Sequence, residues 1–97
     1  MVIIGTDRDR KTGAPRALLA RADERGLIYA GAAFIALRGS EREDLQARLQ
    51  RMQVERCAIP KLRLPNARWV EPKLAVRVRY LAGAKYLRHA TVKGFSK

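Results

Sequence analysis

Leu74-Ala75-Val76-Arg77-Val78-Arg79-Tyr80 is the most regular stretch of the sequence. Successive side chains of an extended chain point to opposite faces, so Leu74, Val76, Val78 and Tyr80 share one side and Ala75, Arg77 and Arg79 the other. The spacing predicts a strand with one buried face and one basic face. Downstream, Gly83 predicts a turn, and Lys85 to Phe95 a returning strand whose looser alternation suggests a bulge. Upstream, Val54 to Arg68 contains Pro60 and Pro65 and follows no period, which predicts a linker loop.

One helix precedes that loop. Ser40-Glu41-Arg42-Glu43 has the form of a capping box, in which hydroxyl and carboxylate satisfy each other's free backbone N–H groups. Leu45, Leu49 and Met52 follow at helical spacing, with acidic residues early and Arg48 and Arg51 late, an order that suits the helix dipole. Nearer the N-terminus, Val2-Ile3-Ile4 predicts a short strand ended by Gly5, and Thr6 to Pro15 an exposed loop. Arg16 to Ala22 and Leu27 to Ala36 flank Asp23-Glu24-Arg25-Gly26, a hairpin in which Gly26 takes positive φ. The order is β-β-β-α-β-β. It suits a mainly β, five-stranded OB-fold barrel over residues 1–97 with one helix between strands 3 and 4, although other small α+β sheets share it.

Ninety-seven residues allow one modest core, and 47% hydrophobic residues allow it without disulfides. Cys57 has no partner cysteine, which fits a reducing cytoplasm. No apolar run approaches the roughly 20 residues of a membrane span, and Met1-Val2-Ile3-Ile4 lacks the basic flank of a signal peptide. Charge separates the two halves. Residues 1–55 carry ten basic and eight acidic side chains, a net of +2; residues 56–97 carry eleven basic ones and only Glu71, a net of +10. Solvation does not require one sign, whereas a polyanion does, so nucleic acid is the expected partner and a membrane is not.

Greater specificity comes from Trp69-Val70-Glu71-Pro72-Lys73-Leu74, the strand that ends in Val78-Arg79-Tyr80, and Leu87-Arg88-His89 followed by Lys93-Gly94. This ordered set resembles the C-terminal domain of ATP-dependent DNA ligases, especially the bacterial enzymes of end joining and repair. Val2-Ile3-Ile4-Gly5, Leu18-Leu19 and Tyr29-Ala30-Gly31 match more loosely. The resemblance implies an OB domain that grips nicked duplex DNA and closes over an adenylation domain supplied in cis or in trans. It also implies that Arg88 and Lys93, which match the family's motif VI, orient the ATP phosphates while a lysine is adenylylated. ATP and Mg²⁺ belong to the complete enzyme, and no cofactor is expected in this chain. Basic residues of the C-terminal half expected to face DNA are Arg56, Lys61, Arg63, Arg68, Lys73, Arg77, Arg79 and Lys85. The implied setting is the bacterial cytoplasm, at the nucleoid.

Departures limit what is implied. The family's Pro after Arg-His is Ala90, its Phe before Lys-Gly is Val92, and Phe95-Ser96-Lys97 replaces its continuation. The nucleophilic lysine of a K-x-D-G motif does not occur, so these 97 residues alone are not expected to ligate. Two other readings share the charge: a stand-alone module for nicked or single-stranded DNA, and a basic RNA-binding OB domain. Trp69 either stacks a base or closes the barrel core, the second being the commoner role at a strand entrance. One His and one Cys support no catalytic triad, and Lys11-Thr12-Gly13 lacks the remainder of a phosphate loop.

Overall fold

The computed structural model describes residues 1–59, 62–64, 66–81 and 88–95, with the side chains of Leu81, Arg88 and His89 outside that description. Its elements are β1 (Val2–Arg8), β2 (Pro15–Asp23), β3 (Gly26–Ile35), α1 (Gly39–Arg51), β4 (Gln53–Val54), β5 (Arg68–Leu81) and β6 (Arg88–Phe95). β1 pairs with β2, β2 with β3, β3 with β6, β6 with β5, and β5 returns to β1. All these pairings are antiparallel except β3–β6, where Phe34 faces Thr91 and Ile35 faces Val92. Five strands thus form a ring, which removes the exposed edges of an open sheet. With α1 between the third strand and the next long one, this is the OB-fold pattern expected from the sequence. The two-residue β4, which pairs with Val70 and Trp69 of β5, was not anticipated.

Local chemistry explains the elements. The β2–β3 hairpin turns at Glu24-Arg25, and Gly26 has φ +121, as its position in the sequence suggested. On β5, Leu74 and Val76 are buried while Arg77 and Arg79 are exposed, as the alternation predicted. Beyond the register shift at Arg77 and Val78 the buried side of the pattern fails: Val78 is only half-buried, and Tyr80, expected on the buried face, is 45% exposed. The strand begins earlier, however, at Arg68, because Thr6 and Gly5 of β1 pair with Arg68 and Trp69. For the same reason β1 does not stop at Gly5. A register shift between Ile3 and Gly5 lets the strand run on to Arg8 while serving two neighbours. The irregularity expected in the last strand is present as register shifts against β5.

The capping box does not form. The helix starts at Gly39, with Arg38 extended at its N-cap and no side-chain cap hydrogen bond, so Ser40 already lies inside the first turn. The predicted stripe does form: Leu45 is fully buried, and Leu49 and Met52 pack against the same core. Burying one Leu side chain stabilises by roughly 1.5–3 kcal/mol.

The interior of the ring holds Ile3, Leu19, Ala33, Leu74, Val76 and Val92. Their sequence neighbours Ile4, Leu18 and Ala20 are equally buried, but in a second cluster. Adjacent strand residues point to opposite faces, so β1 and β2 are apolar on both sides. The outer side is covered by the segment expected to be a linker loop: Ala58, Ile59, Leu62, Leu64 and Ala67 pack there beside Trp69. That segment is a lid on the barrel wall rather than a tether. Trp69 is half-buried within this layer, which supports its packing role over base stacking.

Candidate nucleic-acid interface

The described cations of β5 and β6 lie on the outside of the ring. Lys73, Arg77 and Arg79 are exposed at alternate positions of β5, opposite in phase to buried Leu74 and Val76. Across the ladder Arg77 faces Gly94 and Arg79 faces Thr91. The register shift between these pairs leaves Lys93 as the extra residue of β6, and its side chain is exposed. A Cβ on Gly94 would come within 2.7 Å of Nη2 of Arg77, so the arginine lies directly over the glycine. Lys-Gly therefore makes physical sense in β6: the lysine supplies charge and the glycine leaves room for the guanidinium of the next strand.

Ala90 and Val92, where the sequence departs from the segment it resembles, are 3% and 0% exposed and belong to the ring interior. They change packing and leave the outer side of β6 to Thr91 and Lys93. On the far flank of β6, Phe34 of β3 faces Thr91 and is 43% exposed. Its ring offers a stacking surface beside the cations, and the sequence reading passed it over because it sits in an alanine-rich strand.

The other expected contacts are scattered. Lys73 is tied to Glu71 at 3.0 Å, a surface pair of little energetic weight. Arg56 is exposed beyond β4 and lines a shallow groove with Glu71 and Pro72; Arg63 is exposed on the segment that covers the second apolar layer. Arg68 is exposed at the entrance of β5, at the opposite end of the strand from Arg79. The backbone of Arg88 pairs with Leu81 at the start of β6. Lys61, Lys85 and the Arg88 side chain lie outside the described residues. Arg77, Arg79 and Lys93 are thus the group that the fold assembles.

Ion pairing decides which charges remain available. The Arg16 guanidinium grips Asp7 with two hydrogen bonds, Nε to Oδ1 at 2.8 Å and Nη2 to Oδ2 at 2.7 Å, and this hydrogen bonding raises the Arg16 pKa. The Asp9 carboxylate accepts hydrogen bonds from the backbone N–H of Thr12, the Thr12 hydroxyl and the N–H of Lys11, the first of which does most to hold its pKa below the usual value. No ion pair to Arg77, Arg79 or Lys93 occurs among the described residues. Nor does any group of three or more His, Cys, Asp or Glu able to hold a metal ion occur among them. No helix among them is long and apolar enough to cross a membrane.

Residues 10–97 match the family model described as the ATP dependent DNA ligase C terminal region. No curated protein and no solved structure matches the chain. The family match covers β2 to β6 and takes in both the Trp69-Val70-Glu71-Pro72 element and the Lys93-Gly94 pair. With the closed ring of strands, it shows that the chain belongs to the family of ATP-dependent DNA ligase C-terminal regions.

Proposed function

We propose that this domain grips duplex DNA near a nick through the outer side of β5 and β6. The observation that carries the reading is the trio of exposed cations on two paired strands, Arg77, Arg79 and Lys93, with no carboxylate partner among the described residues. Antiparallel pairing of β5 with β6 brings the three cations together on one side of the sheet, where a phosphate backbone can meet them at once. Each phosphate neutralised releases counterions, and phosphate contacts position a protein without reading sequence. Phe34 flanks the strip and is available to an unstacked base.

In a complete ligase the same edge of the barrel serves a second purpose. Arg88 and Lys93 match the family's motif VI in sequence and are the residues we assign to the ATP phosphates when an adenylation domain, in cis or in trans, closes onto this one. ATP supplies the adenylyl group; the part of this chain is charge placement. Arg88 offers a planar fork to two phosphate oxygens, and Lys93 acts as a point charge. The lysine nucleophile and the metal-binding carboxylates come from the partner domain. The setting is the bacterial cytoplasm, at the nucleoid.

The test is a titration of the chain with nicked, intact and single-stranded DNA over a range of salt. Binding is expected to be weak, strongest for the nicked duplex, and steeply salt-dependent. Replacing Arg77, Arg79 and Lys93 by Gln should flatten the log–log salt slope by roughly 0.9 per cation removed. Binding that is absent, or indifferent to salt, overturns the proposal.

A further inference from the structure

A cleft of about 740 Å³ opens on another side of the molecule, between α1 and the hairpin that joins β1 to β2. Arg8, Arg10 and Arg68 line it, and all three are exposed. Asp7 is the one carboxylate among the lining residues, and Arg16 already occupies both its oxygens. Asp9 next door is occupied by its own loop. None of the three arginines has an ion-pair partner among the described residues; Arg8 donates only to the carbonyl of Gly13, at 2.9 Å. The cleft therefore carries uncompensated positive charge on planar donors that match phosphate oxygens.

The wall formed by α1 is of a different kind. Gln46, Leu49 and Gln50 come from one helical face, an apolar side chain between two exposed amides. Leu49 is half-buried and gives a flat ring something to rest on, while amides pair with the edges of bases. A bare phosphate would use only the arginines, and the volume lies within the range of small-molecule sites.

We infer that this cleft binds a nucleoside phosphate, with the phosphate on Arg10 and Arg68 and the base against Leu49, Gln46 and Gln50. The ligand is either a free mononucleotide or the terminal nucleotide of a strand, which share that chemistry. The site is separate from the β5–β6 strip and does not depend on it.

Calorimetric titration of the 97-residue chain with AMP, with a short 5′-phosphorylated oligonucleotide and with inorganic phosphate tests the inference. AMP or the oligonucleotide should bind one to one and more tightly than inorganic phosphate. Arg10→Gln and Arg68→Gln should each weaken that binding by on the order of tenfold, the usual consequence of losing a charged hydrogen bond. Gln46→Ala with Gln50→Ala should weaken the nucleotide but not phosphate, and Arg77→Gln with Arg79→Gln should leave AMP binding unchanged while lowering affinity for nicked DNA. Arg10 is exposed in a loop, so its replacement keeps the fold; an unchanged circular dichroism spectrum confirms this for each variant. Tighter binding of AMP identifies a free nucleotide as the ligand, and tighter binding of the oligonucleotide by the Arg77→Gln/Arg79→Gln variant, in which the strip is disabled, a strand end. No binding of either, equal affinity for AMP and inorganic phosphate, or indifference to both arginine variants would overturn the inference without touching the DNA strip.

Discussion

Replacing Gly5 by alanine should destabilise the domain, and the structure gives the size of the effect. A Cβ at this position would lie 2.7 Å from the carbonyl oxygen of Arg68, 2.8 Å from Cε3 of Trp69 and 3.2 Å from Cζ3. Ordinary carbon contacts fall at about 3.5–4.0 Å, so the methyl group overlaps its neighbours by most of an ångström. The carbonyl cannot withdraw freely, because Gly5 pairs with Trp69 and Thr6 with Arg68 in the ladder that closes the ring. Nor can the indole move outward without disturbing the apolar layer formed with Leu62, Leu64 and Ala67. Overpacking of this kind costs roughly 1–3 kcal/mol. Gly5 has no positive φ, so alanine recovers about 0.4–1 kcal/mol by restricting the unfolded chain. The net loss is about 1–2 kcal/mol, or roughly 5–10 °C in Tm for a domain of this size. Urea unfolding followed by circular dichroism measures it. Trp69→Leu removes one of the two obstacles, so Gly5→Ala should cost less in that background. An alanine variant as stable as the parent, or more so, would refute the idea that glycine here exists to let β1 approach Trp69.

Two further outcomes follow from the ion pairs and the β1–β2 loop. Asp7→Asn and Arg16→Gln should each cost about 1–2 kcal/mol, since each leaves a partly buried charged partner without its hydrogen bonds; a double-mutant cycle in urea should show coupling, and strict additivity would mean that the pair contributes nothing. Asp9 should titrate below its ordinary value of 3.8, as read by NMR from its carboxylate and the Thr12 amide, because Thr12 and Lys11 donate to its charged form. A depressed carboxylate supports the loop above its unfolded pKa and loses that support as pH falls through the folded value, so the change belongs below about pH 4. A midpoint at or above 3.8, or one that Thr12→Ala does not raise, contradicts the assignment.

What was legible in the sequence depended on whether water touched the element. From Leu74 to Arg77 β5 could be read from its period of two because one side is buried and the other solvated. Tyr80, exposed where that period predicts burial, lies beyond the stretch that the core covers. β1 and β2 are buried on both sides, so their apolar runs reveal strands without revealing that two separate layers pack on them. The covering segment around Ile59, Leu62 and Leu64 escaped for a related reason. Its apolar residues meet the barrel one by one from an irregular backbone, which has no period to detect. The capping box failed because the helix begins at Gly39, at φ +60, with Arg38 as its N-cap, two residues before the Ser40 N-cap that the box requires. Charge counting misjudged location in the same way. A net of +2 over residues 1–55 suggested that the N-terminal half was nearly neutral, but neutrality in sequence is not neutrality in space. Asp7 is paired with Arg16, Asp9 accepts the hydrogen bonds of its own loop, and Asp44 of α1 is paired with Arg48. Arg8 and Arg10 are left beside Arg68, a residue 58 positions further along the chain from Arg10 that the β1–β5 pairing brings to the same cleft. The positive field of this domain is therefore set by which carboxylates the fold consumes, and it has two centres where the sequence indicated one.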